Sequence, residues 1–325
     1  MRRTWLSFTL FTAIAGATVG LGASCREDAD TTDDTTSSGT GTTTSSSSGT
    51  GGAGAALKIL TWNCHNFFDD KDNSAATDEF VKSTAEYQKQ LNLIAGVIKD
   101  LDPDVAVLQE VENQGVLDAL NAAVGNKYAE RSLLDGNDPR GVDIAAMSKI
   151  PFSDVVTHVD DMFTVVGSPA PSYTFARDAV EYHFTFGGRK IALIGVHYRS
   201  KGPPDDANKR LAEAQRSRAI ADAITATDPA TGIVILGDYN DLPSSDPVTV
   251  IKGKAPDLYA DAVSSVPVAD QWTFDFMGTK ELIDHQMANG VMTGFLDPDG
   301  GEIIHSASLD DASDHAPMMI TYLVK

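Results

Sequence analysis

The sequence predicts an α/β domain, and three observations carry that expectation. Short β-branched runs, such as Val105-Ala106-Val107-Leu108 and Ile233-Val234-Ile235-Leu236, have the unbroken apolar character of strands covered on both faces. Longer segments between them repeat their apolar residues at helical spacing. Polar side chains capable of metal or proton chemistry stand just past the ends of the runs, where a rigid scaffold presents groups to a ligand.

Leu57 to Trp62 reads as the first strand and ends at Asn63. From Thr77 to Leu101 the residues Phe80, Tyr87, Leu91, Ile94, Ile98 and Leu101 mark a long amphipathic helix, which Pro103 stops. Val105 to Val111 is a buried strand with Glu110 at its end, followed by a short helix that Gly125 closes. The segments 142–148, 189–198, 282–288 and 318–324 supply further strands, and Gly237 ends the run that begins at Ile233. An Ala-rich helix lies between Asp206 and Thr227, while FLDPDGGEII around Phe295 has no place in the pattern. By alternation alone this suggests a doubly wound parallel sheet. Asn63-Cys64-His65-Asn66 follows the first strand where a dinucleotide-binding chain would carry a Gly-rich loop, so that function is not expected.

Residues 1–25 have the order of a secretory signal: Arg2 and Arg3, an apolar stretch interrupted by small residues, then Ser24-Cys25. The ending is similar to a bacterial lipoprotein signal and implies lipid on Cys25, although Gly22 stands where such signals usually place leucine. Residues 26–55 are nearly all Asp, Thr, Ser, Gly and Ala, which cannot offset the entropy of ordering them, and read as a flexible tether. The expected organisation is therefore signal, tether and one domain over 56–325, with the protein exported, secreted or held at an outer or cell-surface membrane by its lipid alone. With Cys25 lipidated, Cys64 has no partner, which excludes a disulfide framework and leaves it a core residue.

The net charge of −21 excludes nucleic-acid binding by bulk electrostatics. A phosphate-ester substrate would need metal ions and a local basic patch. Arg199, Lys201, Lys209, Arg210, Arg216 and Arg218 form the most basic stretch, which reads either as that patch or as a solvated helix face. No protein partner is inferred.

Glu110 after four apolar residues would be expensive to bury unpaired, so it either reaches water or meets a cation. Together with Asp238 and Asp314 it suits a hard divalent ion bound through oxygen, Mg²⁺ above all, with structural Ca²⁺ as the competing use. Asp314-His315 can transfer protons near neutrality, but alone such a pair also fits a surface turn.

Thr61-Trp62-Asn63, Gln109-Glu110, Gly237-Asp238-Tyr239-Asn240, Leu282-Ile283-Asp284-His285 and Ser313-Asp314-His315, in this order, resemble the endonuclease/exonuclease/phosphatase superfamily. Residues 140–145 and His197-Tyr198-Arg199-Ser200-Lys201-Gly202 are similar to its bacterial extracellular nuclease branch. The resemblance implies a four-layer sandwich of two packed mixed β-sheets flanked by helices, with the site at one edge. It implies Asn63, Glu110 and Asp314 near the metal, taken as Mg²⁺ with Mn²⁺ or Ca²⁺ as alternatives. Asp238 and Asn240 would orient the attacking water and the scissile phosphate, His315 would act beside that phosphate with Asp284 orienting it, His197 would be a second histidine, and Arg140 would contact phosphate. Asp241 is read as a turn residue. The Tyr and Asn that precede the Gly-Asp-x-Asn motif in the abasic-site enzymes have no counterpart near His197, so repair-type specificity is not expected.

Three functions follow. The first is a metal-dependent phosphodiesterase acting on extracellular nucleic acid, and the second is hydrolysis of phospholipid head groups or small phosphate esters by the same centre. The chain offers no long hydrophobic hairpin to engage a membrane, which weighs against the second. The third, a surface-binding module without catalysis, fits poorly because none of the central residues is missing.

Overall fold

The computed structural model describes residues 54–72, 81–202 and 206–325. The signal-like residues 1–25 with Cys25, the tether as far as residue 53, and the expected helix start at Thr77 lie outside the described residues. In chain order come β1 (Ala55–Phe67), α1 (Thr84–Leu101), β2 (Val105–Val111), α2 (Gln114–Ala123), β3 (Glu130–Leu134), β4 (Asp143–Ser148) and β5 (Asp154–Thr157). They are followed by β6 (Ala179–Phe186), β7 (Arg189–His197), α3 (Ala207–Thr227), β8 (Gly232–Asp238), α4 (Asp246–Lys252) and β9 (Ala260–Asp261). The last elements are β10 (Phe274–Phe276), β11 (Thr279–Glu281), β12 (Asp284–Ala288), α5 (Gly290–Thr293), β13 (Leu296–Ile303) and β14 (Met318–Val324).

The strands form two six-stranded sheets, ordered β13-β14-β1-β2-β4-β3 and β5-β6-β7-β8-β12-β9, and a two-stranded ribbon, β10-β11. Each large sheet is mixed. One parallel pair lies in each, β1 with β2 and β7 with β8, and every other pairing is antiparallel. This is the sandwich implied by the resemblance, and it corrects the doubly wound parallel sheet suggested by alternation. A parallel pair needs a long crossover, and only α1 and α3 supply one between paired strands. Among the antiparallel pairs β6-β7 is set by a tight turn, which Gly187 and Gly188, both at positive φ, close.

Packing explains the unbroken apolar runs. Leu57, Ile59, Val105 and Val107 of the first sheet face Val180, Tyr182, Leu193 and Leu236 of the second in one buried core. The alternate residues Leu60, Trp62, Ala106 and Leu108 face outward onto Leu91, Ile94 and Ile98 of α1 and Leu117 and Leu120 of α2. On the opposite side Ile194, Val196, Ile233 and Ile235 pack on Ala214, Ile220 and Ala221 of α3 and Ile251 of α4. Every central strand is thus covered on both faces, as the runs required. Cys64 belongs to the α1 side of this core and is a free, buried thiol.

Several boundaries differ from expectation. β1 runs beyond Leu57–Trp62 at both ends, and α1 begins at Thr84 because Ser83 and Glu86 form a reciprocal capping box. The FLDPDGGEII segment, unplaced by pattern, forms β13 against β14 with a register shift across its Pro-Asp-Gly-Gly stretch. Among the described residues no helix is long and apolar enough to cross a membrane.

Candidate active site

In a parallel pair both strands finish at the same edge, and an antiparallel neighbour begins there. β1 and β2 therefore deliver Asn63 and Glu110 together, and β7 and β8 deliver His197 and Asp238 in register. β12 starts at this rim with Asp284 opposite Asp238, and the chain enters β14 there through Asp314 and His315. The two sheets bring these ends together: His197 Nε2 lies 3.9 Å from Glu110 Oε1 and 3.4 Å from Asp238 Oδ2.

The backbone at the rim is strained. His65, Asn66, Glu110 and Asn240 all hold positive φ without being glycine, and the β1-β2 and β2-β4 registers slip at Asn63–Phe67 and at Gln109–Val111. Bulges and left-handed residues of this kind re-aim side chains and persist only where the surroundings enforce them. Gln90 of α1 is one enforcer, its buried amide lying 2.8 Å from the Cys64 carbonyl, 3.0 Å from that of His65 and 2.7 Å from that of Ala312. Lys82 donates to the Asn66 carbonyl and to Gln90 Oε1. Gly237 does not end its strand as expected. β8 continues through it to Asp238, at φ 136° and with its Cα so close to the Val196 carbonyl that a Cβ would lie 2.0 Å from that oxygen.

Asp238 is the centre of the cluster. Its Oδ2 accepts from Asn63 Nδ2 and Asn240 Nδ2, each at 3.0 Å, and its Oδ1 accepts from the Asn240 backbone at 2.7 Å. Burial, reinforced by the charge of Asp284, pushes its carboxyl up to about 7. His315 Nδ1 donates to Asp284 Oδ2 at 2.8 Å, and His315 Nε2 lies 3.9 Å from Asp238 Oδ2. Burial alone would lower the His315 imidazole, but the charge and hydrogen bond of Asp284, then Asp238, outweigh it and raise it to about 10. His197 goes the other way: burial, then Arg177 and His315, hold it well below the usual range. One histidine is thus held cationic and the other neutral around a single carboxylate, the separation that distinguishes acid from base roles.

The loop entering β14 is tied to β1 by two hydrogen bonds and braced by a third within itself. Ser313 Oγ donates to the Asn63 carbonyl at 2.6 Å and accepts from the His315 backbone at 3.0 Å, and Trp62 Nε1 donates to the His315 carbonyl at 2.8 Å. Asp314 turns outward, 3.2 Å from His65 Nδ1.

A pocket of about 540 Å³ collects these groups. Asn63, Glu110, Arg140, His197, Asp238, Asn240, Asp314 and His315 line it, so all the expected residues meet except Asp284, which lies behind His315. The oxygens of Glu110, Asn63, Asp238 and Asp314 suit a hard divalent cation, and no thiol faces the pocket. Glu110 is supported for that use, since Oε2 accepts from the Asn66 backbone at 2.7 Å and Oε1 from Asn63 at 3.2 Å, leaving lone pairs on both. Asp238, Asp284 and His315 also bring one donor atom each within 4.8 Å of one another, although His315 Nδ1 is committed to Asp284.

Several pocket residues escaped the sequence reading, Arg177, His65, Phe274 and Phe276 among them. Arg177, buried, lies 3.3 Å from Asp138, which also accepts both arms of Arg140; no local pattern marks it. His65 stands beside Asn63 and pairs with Asp314. Phe274 and Phe276 line the pocket from the ribbon, a short hairpin of two three-residue strands that exposes Phe276 and Met277; it is not the long hydrophobic hairpin that the sequence was read as lacking. Asp241 is more than a turn residue, accepting from Arg210 Nε at 3.1 Å and standing 3.4 Å from Lys201.

A family model described as "Endonuclease/Exonuclease/phosphatase family" matches residues 58–293. Solved structures share the fold. Truncated Caenorhabditis elegans TDP2 is 18% identical over 83% of this chain and 98% of its own, with a TM-score of 0.55. An endonuclease/exonuclease/phosphatase from Bacteroides vulgatus is 17% identical over 83% of this chain and 100% of its own, at 0.59. D. rerio TDP2 complexed with single strand DNA product is 16% identical over 82% and 99%, at 0.57. No curated protein matches the sequence.

Proposed function

The chain belongs to the endonuclease/exonuclease/phosphatase family, and from that premise we propose that it is an exported, Mg²⁺-dependent nuclease. The observation that carries the reading is the pairing around Asp238: a carboxylate raised by burial, a cationic His315 3.9 Å away, and a neutral His197 at 3.4 Å. Hydrolysis of a phosphodiester needs a base for the attacking water, positive charge for the oxygens of the transition state, and fixed orientation. Asp238 takes the water proton, with Asn240 and Asn63 fixing its carboxylate. His315, anchored by Asp284, presents its Nε2 proton to the phosphate, and Arg140 and Arg177, which line the same pocket, add positive charge. Glu110 and Asn63, with Asp314, would hold the cation, which supplies Lewis-acid stabilisation of the phosphate oxygens. The DNA product bound to D. rerio TDP2 supports the choice of nucleic acid as substrate. The signal-like residues 1–25 and Cys25 support export and a lipid anchor.

The exposed Phe276 and Met277 favour a second reading, hydrolysis of a phospholipid head group at a membrane surface. Digestion of linear DNA, circular DNA and RNA with Mg²⁺, Mn²⁺, Ca²⁺ or a chelator separates the two. The nuclease reading expects metal-dependent cutting. Cleavage of phospholipid vesicles with intact nucleic acid would establish the second reading instead.

A further inference from the structure

The six cationic residues that the sequence sets together between Arg199 and Arg218 divide in space. Arg210 is buried against Asp241, Arg216 pairs with Asp161 at 2.6 Å, and Arg218 pairs with Asp222 at 2.7 Å and lies over the Tyr259 ring. These three hold the scaffold. Lys201 lines the catalytic pocket, and Arg199 and Lys209 line a second groove of about 650 Å³ that shares Arg140, Arg177, Ser200 and Gly202 with that pocket. The two cavities therefore adjoin across these four residues.

The acids of this groove are already engaged. Asp138 holds Arg140 and Arg177, and Asp206 caps α3 by accepting from the Lys209 backbone at 2.9 Å. The Lys209 ammonium makes no ion pair among the described residues. In a chain of net charge −21, a cationic groove beside the catalytic pocket is the local patch that a polyanion needs.

We propose that this groove is a subsite for a second phosphate of a polynucleotide, the one beside the scissile phosphate, with Lys209 and Arg199 as its contacts. The inference rests on the nucleic-acid reading. A polynucleotide presents its next phosphate at a fixed step along the backbone, whereas a single diester has none, so the groove selects polymers over small esters. A contact remote from the reacting phosphorus binds ground and transition states alike, and its loss appears in KM rather than kcat.

The test compares full-length protein with its Lys209→Glu variant on a single-stranded oligonucleotide and on bis(4-nitrophenyl) phosphate. Lys209 is the third residue of α3, after the Asp206 cap, a position where an acidic side chain supports the helix, so the variant folds. The ratio of kcat/KM for the oligonucleotide to that for the bis-ester is expected to fall about tenfold through KM, and the slope of log KM against log salt to shrink by about one. An oligonucleotide-to-bis-ester ratio within twofold of the native one overturns the subsite and leaves the nuclease reading standing. Native protein that cleaves the bis-ester but no oligonucleotide overturns both.

Discussion

Between the sheets, β1, β2, β7 and β8 present Ile59, Val107, Leu193 and Leu236, fully buried and surrounded by apolar neighbours. A few residues further along the same strands stand Asn63, Glu110, His197 and Asp238, with Glu110 at φ 63° and carboxylates crowded near two histidines. The strand bodies obey the rules of a close-packed interior. The strand ends break them: they bury charge and hold sparsely populated backbone, both of which work against stability. Stability and chemistry are therefore separable along a single strand, and substitutions at the two places should fail in different ways.

Truncating the interior gives the largest effect on folding. Leu193→Ala is expected to lower stability by about 2–5 kcal/mol through the cavity left behind. Denaturant unfolding reads this directly, and turnover per folded molecule should stay near native. A large loss of turnover in the still-folded variant would break the separation.

Gln90 sharpens it, because this residue belongs to the helix yet serves the rim. Gln90→Leu keeps the volume but leaves the carbonyls of Cys64, His65 and Ala312 without their donor, so kcat should fall about 10–100-fold with KM little changed. Steady-state kinetics with both parameters resolved would check it, and a change confined to KM would contradict the positioning role.

The smallest effect concerns a cluster on the outer strands of the second sheet, where Glu181 accepts from His158 at 2.7 Å and His183 at 2.6 Å, and Asp161 bridges His158 to Arg216. Burial opposes the charge on Glu181, but the two histidines outweigh it and hold its carboxyl down at about 2, below the ordinary 4.5; that stabilisation is present above 4.5 and lost as pH falls toward 2. His158 is lowered by burial but raised further by Glu181 and Asp161, so its net shift is above 6.5; its contribution is present below 6.5 and lost as pH rises beyond. The Tm difference between native protein and Glu181→Gln should therefore be widest between about pH 4.5 and 6.5 and narrow on either side. A difference that is constant with pH would show that the cluster is not titrating as a unit.

What could be read from the sequence follows the same division. β2 and β14 were legible to the residue and α3 nearly so, because their apolar patterns are local. Strand direction was not, since pairing depends on which connections are long enough to cross over. β6 and β13 escaped because Glu181 and His183 in the one and the Pro298-Asp299-Gly300 stretch in the other mask their alternation, and β5 because four residues are too few to show a period. At the site, Asn63, Glu110, Asp238 and His315 were visible as polar residues at the ends of apolar runs. Arg177 was not, because nothing nearby marks it and Asp138, its partner, lies far off in sequence. Gln90 could have been found: it falls three residues after Tyr87 and four before Ile94, on the apolar stripe of α1, where a polar side chain must have a buried partner.

The most direct test of the central claim is one variant read two ways. Asp238→Asn should be assayed for Mg²⁺-dependent DNA cleavage and, on the same preparation, for its denaturant midpoint. Removing a carboxylate whose burial raises it to about 7 relieves a buried charge, so the midpoint should equal or exceed that of the native protein, while turnover should fall by about 10³-fold or more. Retained cleavage, or cleavage lost only in step with a lowered midpoint, would contradict the assignment of chemistry to the strand ends.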